Sequence, residues 1–380
     1  MKQNSLTAIR RENLRKMLDL LTLAPPMTRQ EMAERTGLSL MSVTNLVDVL
    51  KEQDVLCFSP LPRQGMGRRA DAISLSGEKK AWLTLDISSR VPRLLVLGFD
   101  LSLILEERET QSVDDLEGLR TFLRRVKDKL PQALEGREVL GVAVVTPGPY
   151  EIASDTVNNQ RMPHLNGVKL KALLQAELGA YDYYVEEDVK FAVRAFAALN
   201  EQHRDDVLYY LFIGEGVGGA TVHDGNMLRG LNATAGDAGQ LTDRDGRPYE
   251  AHLSLAAYAS LLDLNADEPP EQLRQALLAL AEAEPERCRQ ALSQMAAVAA
   301  EMLHGVLWLL DPQRIIIDCR YASPFGDWFV EQVAQQLCIR FEGTRRILPE
   351  ISCASQCIPS VLRGAVCVLQ RVWLEKTMAN

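Results

Sequence analysis

Residues 29–48 read RQEMAERTGLSLMSVTNLVD, and the offsets within this stretch predict two short helices joined by a tight turn. Gly37 supplies the positive φ angle that such a turn needs. Ser39 follows as a natural N-cap, because its hydroxyl can accept a backbone N–H of the next helix. Met32 and Val43 lie on the sides where the two helices would pack together. The stretch therefore predicts a helix-turn-helix, a unit that places its second helix in the major groove of DNA.

The second of these helices has a face of short, mostly polar side chains that point outward. Such side chains can bind base edges or phosphates. An ordinary pair of solvated helices is the alternative, but this face lacks the glutamates and lysines that usually cover such helices. The candidate DNA-contacting residues of the helix are Ser39, Leu40, Met41, Ser42, Thr44 and Asn45.

The flanking sequence extends this unit to a winged helix. Residues 10–21 carry apolar side chains at helical spacing and predict a preceding helix. Two β-type runs, 55–58 and 72–75, follow the recognition helix, with the flexible basic tip GMGRR between them. In a winged helix, Arg68 and Arg69 of this tip would reach phosphates or the adjacent minor groove. For the tip alone, the alternative is a solvated basic turn.

The charge of the chain changes sign along its length. The 380 residues carry a net charge of −9. Residues 1–80 contain 13 lysines and arginines against 9 acidic residues, whereas residues 81–380 contain 29 against 42. A basic head on an acidic body fits a DNA-binding domain joined to a body that does not touch the nucleic-acid backbone.

Three features of the sequence bear on the location of the protein. No run of 18 apolar residues is present, so we expect no membrane span. The N-terminus lacks the hydrophobic core of a secretion signal. Seven scattered cysteines, an odd number, favour reduced thiols in the cytoplasm. The close pair Cys353 and Cys357 is predicted to consist of core or helix-face thiols and not of metal ligands.

From Trp82 onward, apolar runs of strand length alternate with helical segments. No internal repeat is evident in this region. The pattern predicts an α/β body that is large enough for two lobes with a cleft between them. The predicted strands are 93–99, 140–145, 183–186, 207–213, 220–223 and 314–318, and the predicted helices are 115–134, 170–178, 188–199, 326–340 and 359–375.

A second motif lies at residues 209–239, YYLFIGEGVGGATVHDGNMLRGLNATAGDAG. A glycine-rich turn after a strand lets backbone N–H groups approach a ligand closely. The order of strand, GEGVGG, strand, DGNMLRG and AGDAG is more specific than the turn alone. Together with the winged helix and the EED segment at 186–188, this order resembles the ROK family (repressors, open reading frames and kinases) over nearly the full length. The resemblance implies a body of two actin-like ATPase, sugar-kinase-like lobes with a sugar bound between them.

The resemblance also assigns roles to five residues. Asp188 matches the catalytic base that deprotonates the sugar hydroxyl in the kinases, and Glu187 stands at a sugar contact that is usually Asn. Asp237 and Gln240 stand at the Glu and the His of the family's GEIGH motif. Glu250 matches a sugar-binding Glu. The alternative for Asp188 is an acid in the first turn of a helix, and the alternative for Asp237 and Gln240 is a polar turn.

Three departures from the family's pattern argue against catalysis. The family's zinc loop carries cysteines and a ligating His, but residues 236–256 contain no Cys and Gln240 replaces the His. The first phosphate turn, DxGGT in the family, is DISSR at 86–90, and the Gly-Gly near the adenine is Asp318-Cys319. Because phosphoryl transfer depends on positioning of the phosphates, we expect a pseudo-kinase that has neither zinc nor another cofactor. Without zinc, we also expect the loop at 240–252 to be more mobile than in relatives.

Taken together, the sequence predicts a cytoplasmic DNA-binding transcriptional regulator of the repressor type. Residues 1–80 would form the winged helix-turn-helix domain. Residues 81–380 would form the effector and dimerisation body, with lobes at about 81–188 plus the C-terminal helix and at 189–360. We expect a homodimer or tetramer that binds a double-stranded DNA operator and responds to a small sugar effector. Two alternatives stay open, an active ROK sugar kinase and a degenerate body that only dimerises or senses a protein partner.

Overall fold

The structure is a computed structural model, and it describes residues 2–23, 26–60, 71–199, 203, 205–354 and 361–377. The chain divides into two compact units. The first unit runs up to Asp188 and resumes at Leu362, and the second unit covers Val189–Val361. Each unit contains one five-stranded sheet.

The N-terminal part of the first unit is a winged domain with three helices. Thr28 and Glu31 form a reciprocal capping box at the start of its second helix, and Gly37 ends that helix with a φ of 71°. The predicted helix-turn-helix is therefore confirmed, and two antiparallel strands follow it as the predicted wing. The elements are α1 (Lys2–Leu23), α2 (Arg29–Thr36), α3 (Leu40–Glu52), β1 (Leu56–Pro60) and β2 (Asp71–Leu75).

The remainder of the first unit is an α/β lobe. Its elements are β3 (Lys80–Asp86), β4 (Arg93–Gly98), β5 (Leu103–Arg108), α4 (Leu116–Leu134), β6 (Glu138–Thr146), β7 (Tyr150–Glu151), β8 (Thr156–Val157), α5 (Leu170–Glu177), β9 (Tyr183–Glu187) and α12 (Val361–Thr377). The sheet order is β5-β4-β3-β6-β9, in which β3 pairs antiparallel with β4 and parallel with β6. Phe122 and Val126 of α4 belong to the buried core that covers this sheet.

The last helix, α12, contacts both parts of the first unit. Gln370 donates a hydrogen bond to the carbonyl of Phe99 in the lobe at 2.9 Å. Arg371 pairs with Asp19 of α1 at 2.8 Å. Burial raises the pKa of Asp19, and Arg371 opposes this shift. The winged domain and the lobe therefore share one compact unit, in which α12 joins them.

The second unit repeats the strand arrangement of the first. Its sheet order is β12-β11-β10-β13-β14, with β10 antiparallel to β11 and parallel to β13. In both sheets three antiparallel neighbours are followed by two parallel strands. The elements are α6 (Asp188–Leu199), β10 (Leu208–Ile213), β11 (Val217–His223), β12 (Asn226–Leu228), α7 (Glu250–Leu253), α8 (Leu255–Leu261), α9 (Pro270–Ala283), α10 (Pro285–Leu310), β13 (Arg314–Cys319), α11 (Gly326–Arg340) and β14 (Glu350–Cys353).

The helix α10 forms the centre of the second unit's core, with eleven buried residues. Among the residues that the structure describes, it is the one helix that is long and apolar enough to cross a membrane, and half of its most apolar window is buried. Packing in the core of the second unit accounts for the buried half of this helix.

The predicted strands include neither the buried central strand β3 nor the edge strands β5 and β14. β5 reads LILEER and is largely exposed, and β14 has only four residues. Short or polar edge strands lack the apolar run by which buried strands are found. Cys353 is buried in β14 as a core thiol. Cys357 lies outside the described residues.

Candidate functional sites

The outward face of α3 is the candidate DNA-binding surface. Leu40 and Met41 are 54% and 76% exposed, and Asn45 is exposed one turn later. On the opposite side, Val43 and Leu46 are buried against the rest of the winged domain. The helix thus presents side chains to solvent that its own packing does not use.

The hydroxyl groups of the same face form hydrogen bonds within the helix. The backbone N–H of Ser42 donates to the Ser39 Oγ at 3.2 Å, which confirms Ser39 as the N-cap, and the two hydroxyl oxygens lie 2.8 Å apart. The Thr44 hydroxyl donates to the carbonyl of Leu40 at 2.9 Å. These predicted DNA contacts therefore have less hydrogen-bonding capacity available than their residue types suggest.

The wing packs beside the recognition helix through an aromatic ring. Phe58 of β1 lies beneath two cations, Arg29 of α2 at 5.9 Å and Lys51 of α3 at 5.6 Å. These contacts link the wing to both helices of the helix-turn-helix. The predicted basic tip with Arg68 and Arg69 lies outside the described residues.

In the first unit, Glu187 is buried at the end of β9. Its Oε1 accepts the backbone N–H of Tyr150 at 2.9 Å. Its Oε2 occupies the space beside Gly148, since a Cβ on that glycine would come within 2.5 Å of it. Asn159 donates to the carbonyl of Gly148 and holds the same turn. The turn Pro147-Gly148-Pro149, which follows β6, therefore holds this carboxylate in place.

Asp188 is the first residue of α6 and the last residue of the first unit, and it is half-buried. A carboxylate in the first turn of a helix is stabilised by the helix dipole and by the N–H groups at that end. Its position is compatible with both interpretations that the sequence leaves open, a proton acceptor for a ligand hydroxyl and a first-turn acid.

In the second unit, Asp237 and Glu250 lie beside the start of β11. The Glu250 Oε2 accepts the backbone N–H of Val217 at 2.9 Å. The Asp237 Oδ1 is 4.0 Å from the position that a Cβ on Gly218 would take. The fold therefore brings these two predicted ligand residues to consecutive positions of the GEGVGG segment, whereas Glu187 and Asp188 belong to the other unit.

Two glycines of the motif at 209–239 allow other groups to approach the backbone very closely. A Cβ on Gly239 would lie 2.2 Å from the carbonyl oxygen of Val217, and one on Gly219 would lie 2.1 Å from the Tyr209 hydroxyl. Tyr209 donates to the carbonyl of Gly236 at 2.8 Å. Burial, followed by the charge of Asp237, raises the pKa of Tyr209, so its hydroxyl stays protonated. Tyr209 lies in the motif at 209–239 but was not among the residues predicted from the sequence.

The loop that follows the exposed Gln240 is closed around one carboxylate. The Asp243 Oδ1 accepts the N–H groups of Asp245 and Arg247 at 2.9 and 2.8 Å. Its Oδ2 lies 2.8 Å from the Nε2 of His252. The N–H of Arg247 is the largest of the contributions that lower the pKa of Asp243. The prediction of a mobile loop did not take this network into account.

The first phosphate turn of the family is occupied here by its own side chains. The Asp86 Oδ1 accepts both the backbone N–H and the hydroxyl of Ser88, at 2.9 and 2.6 Å. Arg90 pairs with Asp114 at 3.0 Å. Asp86 matches the Asp of the family's DxGGT, so the departure lies in Ser88, Ser89 and Arg90, which replace two glycines and a threonine. The N–H of Ser88 is also already bonded.

The second unit carries carboxylates in its glycine-rich turn and at the position of the family's Gly-Gly near the adenine. Glu215, inside the glycine-rich turn, pairs with Arg274 of α9 at 2.6 Å. The Asp318 Oδ2 accepts hydrogen bonds from the Tyr210 hydroxyl at 2.9 Å and from the Arg320 Nε at 2.8 Å. Glu215 was not among the residues predicted from the sequence, although it stands in the GEGVGG turn.

Comparison with protein families agrees with this architecture. Residues 93–320 match the ROK family, and residues 10–56 match a winged helix-turn-helix DNA-binding family. A xylose repressor of Caldicellulosiruptor bescii is 23% identical over 221 residues, which are 57% of this chain and 54% of the repressor.

Solved structures show the same fold. A ROK family transcriptional regulator, described as a homolog of the E. coli MLC protein, has a TM-score of 0.63 at 16% identity and covers 98% of this chain and 100% of its own. A ROK family glucokinase from Streptomyces griseus, in complex with glucose and AMPPNP, has a TM-score of 0.61 at 17% identity over 77% of this chain and 99% of its own. Because the family match spans more than half of its residues, this chain belongs to the ROK family, and it carries a winged helix-turn-helix ahead of the ROK domain.

Proposed function

We propose that this ROK transcriptional regulator is a repressor that binds its operator through α3 and releases it when its body binds a sugar. The observation that carries the proposal is a contrast between two surfaces. The recognition helix keeps exposed side chains for a partner, whereas the first phosphate turn of the body carries Ser88 and Ser89 in place of the family's two glycines. The similarity to a xylose repressor supports the regulatory role.

The body would bind its sugar without phosphorylating it. Ser88 and Ser89 stand at the two glycines of the family's first phosphate turn, and Asp318 stands at a glycine near the adenine, so side chains occupy space that a nucleotide would need. Because a glucokinase is among the structures with the same fold, phosphorylation of a sugar is the activity that must be tested. We expect no sugar-dependent release of ADP in a coupled assay over a panel of sugars with saturating ATP. Sustained ADP release with any sugar would overturn this part of the proposal.

We also propose that the protein uses no zinc. The loop after Gln240 contains no thiolate ligands. In the residues that the structure describes, no three His, Cys, Asp or Glu side chains are grouped as metal ligands. Asp243 and His252 instead join the two ends of the loop through their hydrogen bond. The metal content of the purified protein, measured by plasma mass spectrometry, tests this, and stoichiometric zinc would contradict it.

The sugar would be recognised by carboxylates, since each can accept hydrogen bonds from sugar hydroxyls. Asp237 is the sharpest test, because it lies beside Gly218 of the glycine-rich turn. Calorimetric titration with xylose, glucose and related sugars should identify a ligand. Asp237→Asn should then weaken it by about ten- to a hundredfold, whereas Asp245→Asn, at the exposed tip of the next loop, should not. If no sugar bound, the body would be a dimerisation or protein-sensing module instead.

A second copy of the chain is the proposed partner of an apolar surface on the second unit. Trp308 and Leu309, at the end of α10, are 59% and 78% exposed. Gly305 lies on the same helix, and a Cβ there would meet no atom within 4 Å. A glycine inside a helix costs about 1 kcal/mol relative to alanine, and no atom of the described residues lies close enough to require it. Close approach of another helix would explain it.

The charges around this surface also fit a second copy. Arg346 lies 4.8 Å from the ring of Trp308 and pairs with Asp311, and Arg340 pairs with Glu301 at 3.3 Å. A rim with both signs can pair with itself across a two-fold axis. We expect Trp308→Glu to lower the oligomeric state in sedimentation experiments, whereas Leu278→Glu, on the exposed face of α9, should leave it unchanged. An unchanged assembly with Trp308→Glu would exclude this surface.

The repressor proposal as a whole is tested by selection of genomic DNA with the full-length protein, with and without sugars. We expect a two-fold symmetric site that one sugar releases. Arg68→Ala should weaken binding to all DNA and reduce the salt dependence. Selection of no sequence at all would contradict the proposal. We also place the protein in the cytoplasm, where such DNA lies, and the six cysteines that the structure describes are free thiols.

A further inference from the structure

The first turn of α3 exposes two large apolar side chains in adjacent positions. Leu40 and Met41 are 54% and 76% exposed. The buried seam of the helix is formed by other residues, including Val43, Leu46 and Val47. Single exposed apolar residues are common on protein surfaces. Leu40 and Met41, however, are neighbours at the N-terminus of α3. Recognition helices contact base edges with their N-terminal residues, so this pair is placed where it would meet DNA.

The polar groups of this turn are partly used within the helix. The Ser39 and Ser42 hydroxyls lie 2.8 Å from each other, and Thr44 donates its hydroxyl hydrogen to the carbonyl of Leu40. Less hydrogen-bonding capacity is therefore left for base edges at this end of the helix. The exposed groups that remain there are the branched aliphatic side chain of Leu40 and the flexible thioether of Met41.

The major groove of DNA offers one apolar group to such side chains, the 5-methyl group of thymine. Cytosine lacks this methyl group, and the purines present only hydrogen-bonding groups there. We propose that Leu40 and Met41 bind thymine 5-methyl groups in each operator half-site, and this inference rests on the proposed function. Burial of one methyl group is expected to change affinity by about three- to fivefold.

The test removes the methyl group from the DNA and the side chain from the protein in turn. Each thymine of a selected operator is replaced by deoxyuridine, which differs only by that methyl group. Binding is measured by fluorescence anisotropy at one fixed ionic strength for the full-length protein and for Leu40→Ala and Met41→Ala. Leu278→Ala, which removes an exposed leucine from α9, is the matched control.

We expect wild type and Leu278→Ala to lose about three- to fivefold in affinity at one or more thymines of each half-site. Leu40→Ala and Met41→Ala should each lose or reduce this effect at the thymine that the removed side chain contacts and keep it at the others, and their folding is checked by thermal unfolding. Wild-type protein that is indifferent to every replacement would overturn the inference and leave the repressor proposal standing. Variants as sensitive as wild type would also overturn it. Failure to select any operator would overturn both.

Discussion

The recognition helix and the sugar-kinase-like body use their motif residues in opposite ways. On α3, Leu40, Met41 and Asn45 face solvent, and the packing of the helix does not need them. In the body, Glu187 and Glu250 each accept a backbone N–H of their own unit. A motif residue that the fold does not use points to a partner. A motif residue bonded to the backbone can persist for the sake of the fold alone.

The largest effect should come from Gly239, where the comparison predicts a purely structural role. A Cβ there would lie 2.2 Å from the Val217 carbonyl oxygen. Gly239→Ala should lower the free energy of unfolding by about 3 kcal/mol or more through overpacking, measured by urea denaturation. Gly326→Ala is the control, because its Cβ would meet only the Cys353 Sγ at an ordinary 3.6 Å. Equal stability of the two variants would contradict the close packing.

The next largest effect is expected at Glu187, where substitutions can distinguish a structural role from a role in ligand binding. Glu187→Ala would leave the buried N–H of Tyr150 without its acceptor, and we expect a loss of about 2 to 3 kcal/mol in the free energy of unfolding. Glu187→Gln keeps an acceptor oxygen and the volume, so it should lose much less. Unchanged stability of Glu187→Ala together with lost sugar binding would show that Glu187 serves the ligand and not the fold.

On the recognition helix, Asn45 and Thr44 should behave differently although they are neighbours. A free amide can contact adenine with two hydrogen bonds, so Asn45→Ala should cost about 1 to 3 kcal/mol at an operator adenine and change sequence preference. Thr44→Val should change affinity by less than about 0.5 kcal/mol, since the hydroxyl is already bonded to Leu40. Competition binding with operator variants measures both. A larger loss with Thr44→Val would show that the hydroxyl turns toward DNA.

The smallest effect should be local and dependent on pH. Because backbone N–H groups lower the pKa of Asp243, its carboxylate stabilises the loop above the ordinary aspartate value of 3.8. This contribution should be lost as the pH falls through the lowered pKa. The amide resonances of Asp245 and Arg247 should therefore shift with a midpoint below 3.8. Asp243→Asn, which cannot titrate, should abolish the shift, and a midpoint at or above the ordinary value would contradict the network.

Much of the winged domain could be predicted from the sequence because its signals are local. The turn at Gly37 and the N-cap at Ser39 act within a few residues, and both are confirmed. The alternating pattern of the body also predicted several of its helices and most of its apolar strands. The predicted strands lack the edge strands β5 and β14, which are short or polar, and they also lack the buried central strand β3.

What only the tertiary structure decided depends on residues that are far apart in the chain. The repeated sheet order has no counterpart in the sequence, because many different apolar runs can pack as the same strand arrangement. Glu187 meets Tyr150 across 37 positions, and Glu250 meets Val217 across 33. The sequence by itself determined which residue types stand at the family's positions. Folding decided which of those groups face the backbone and which remain exposed, because hydrogen bonds of this kind form only when distant strands and turns come together.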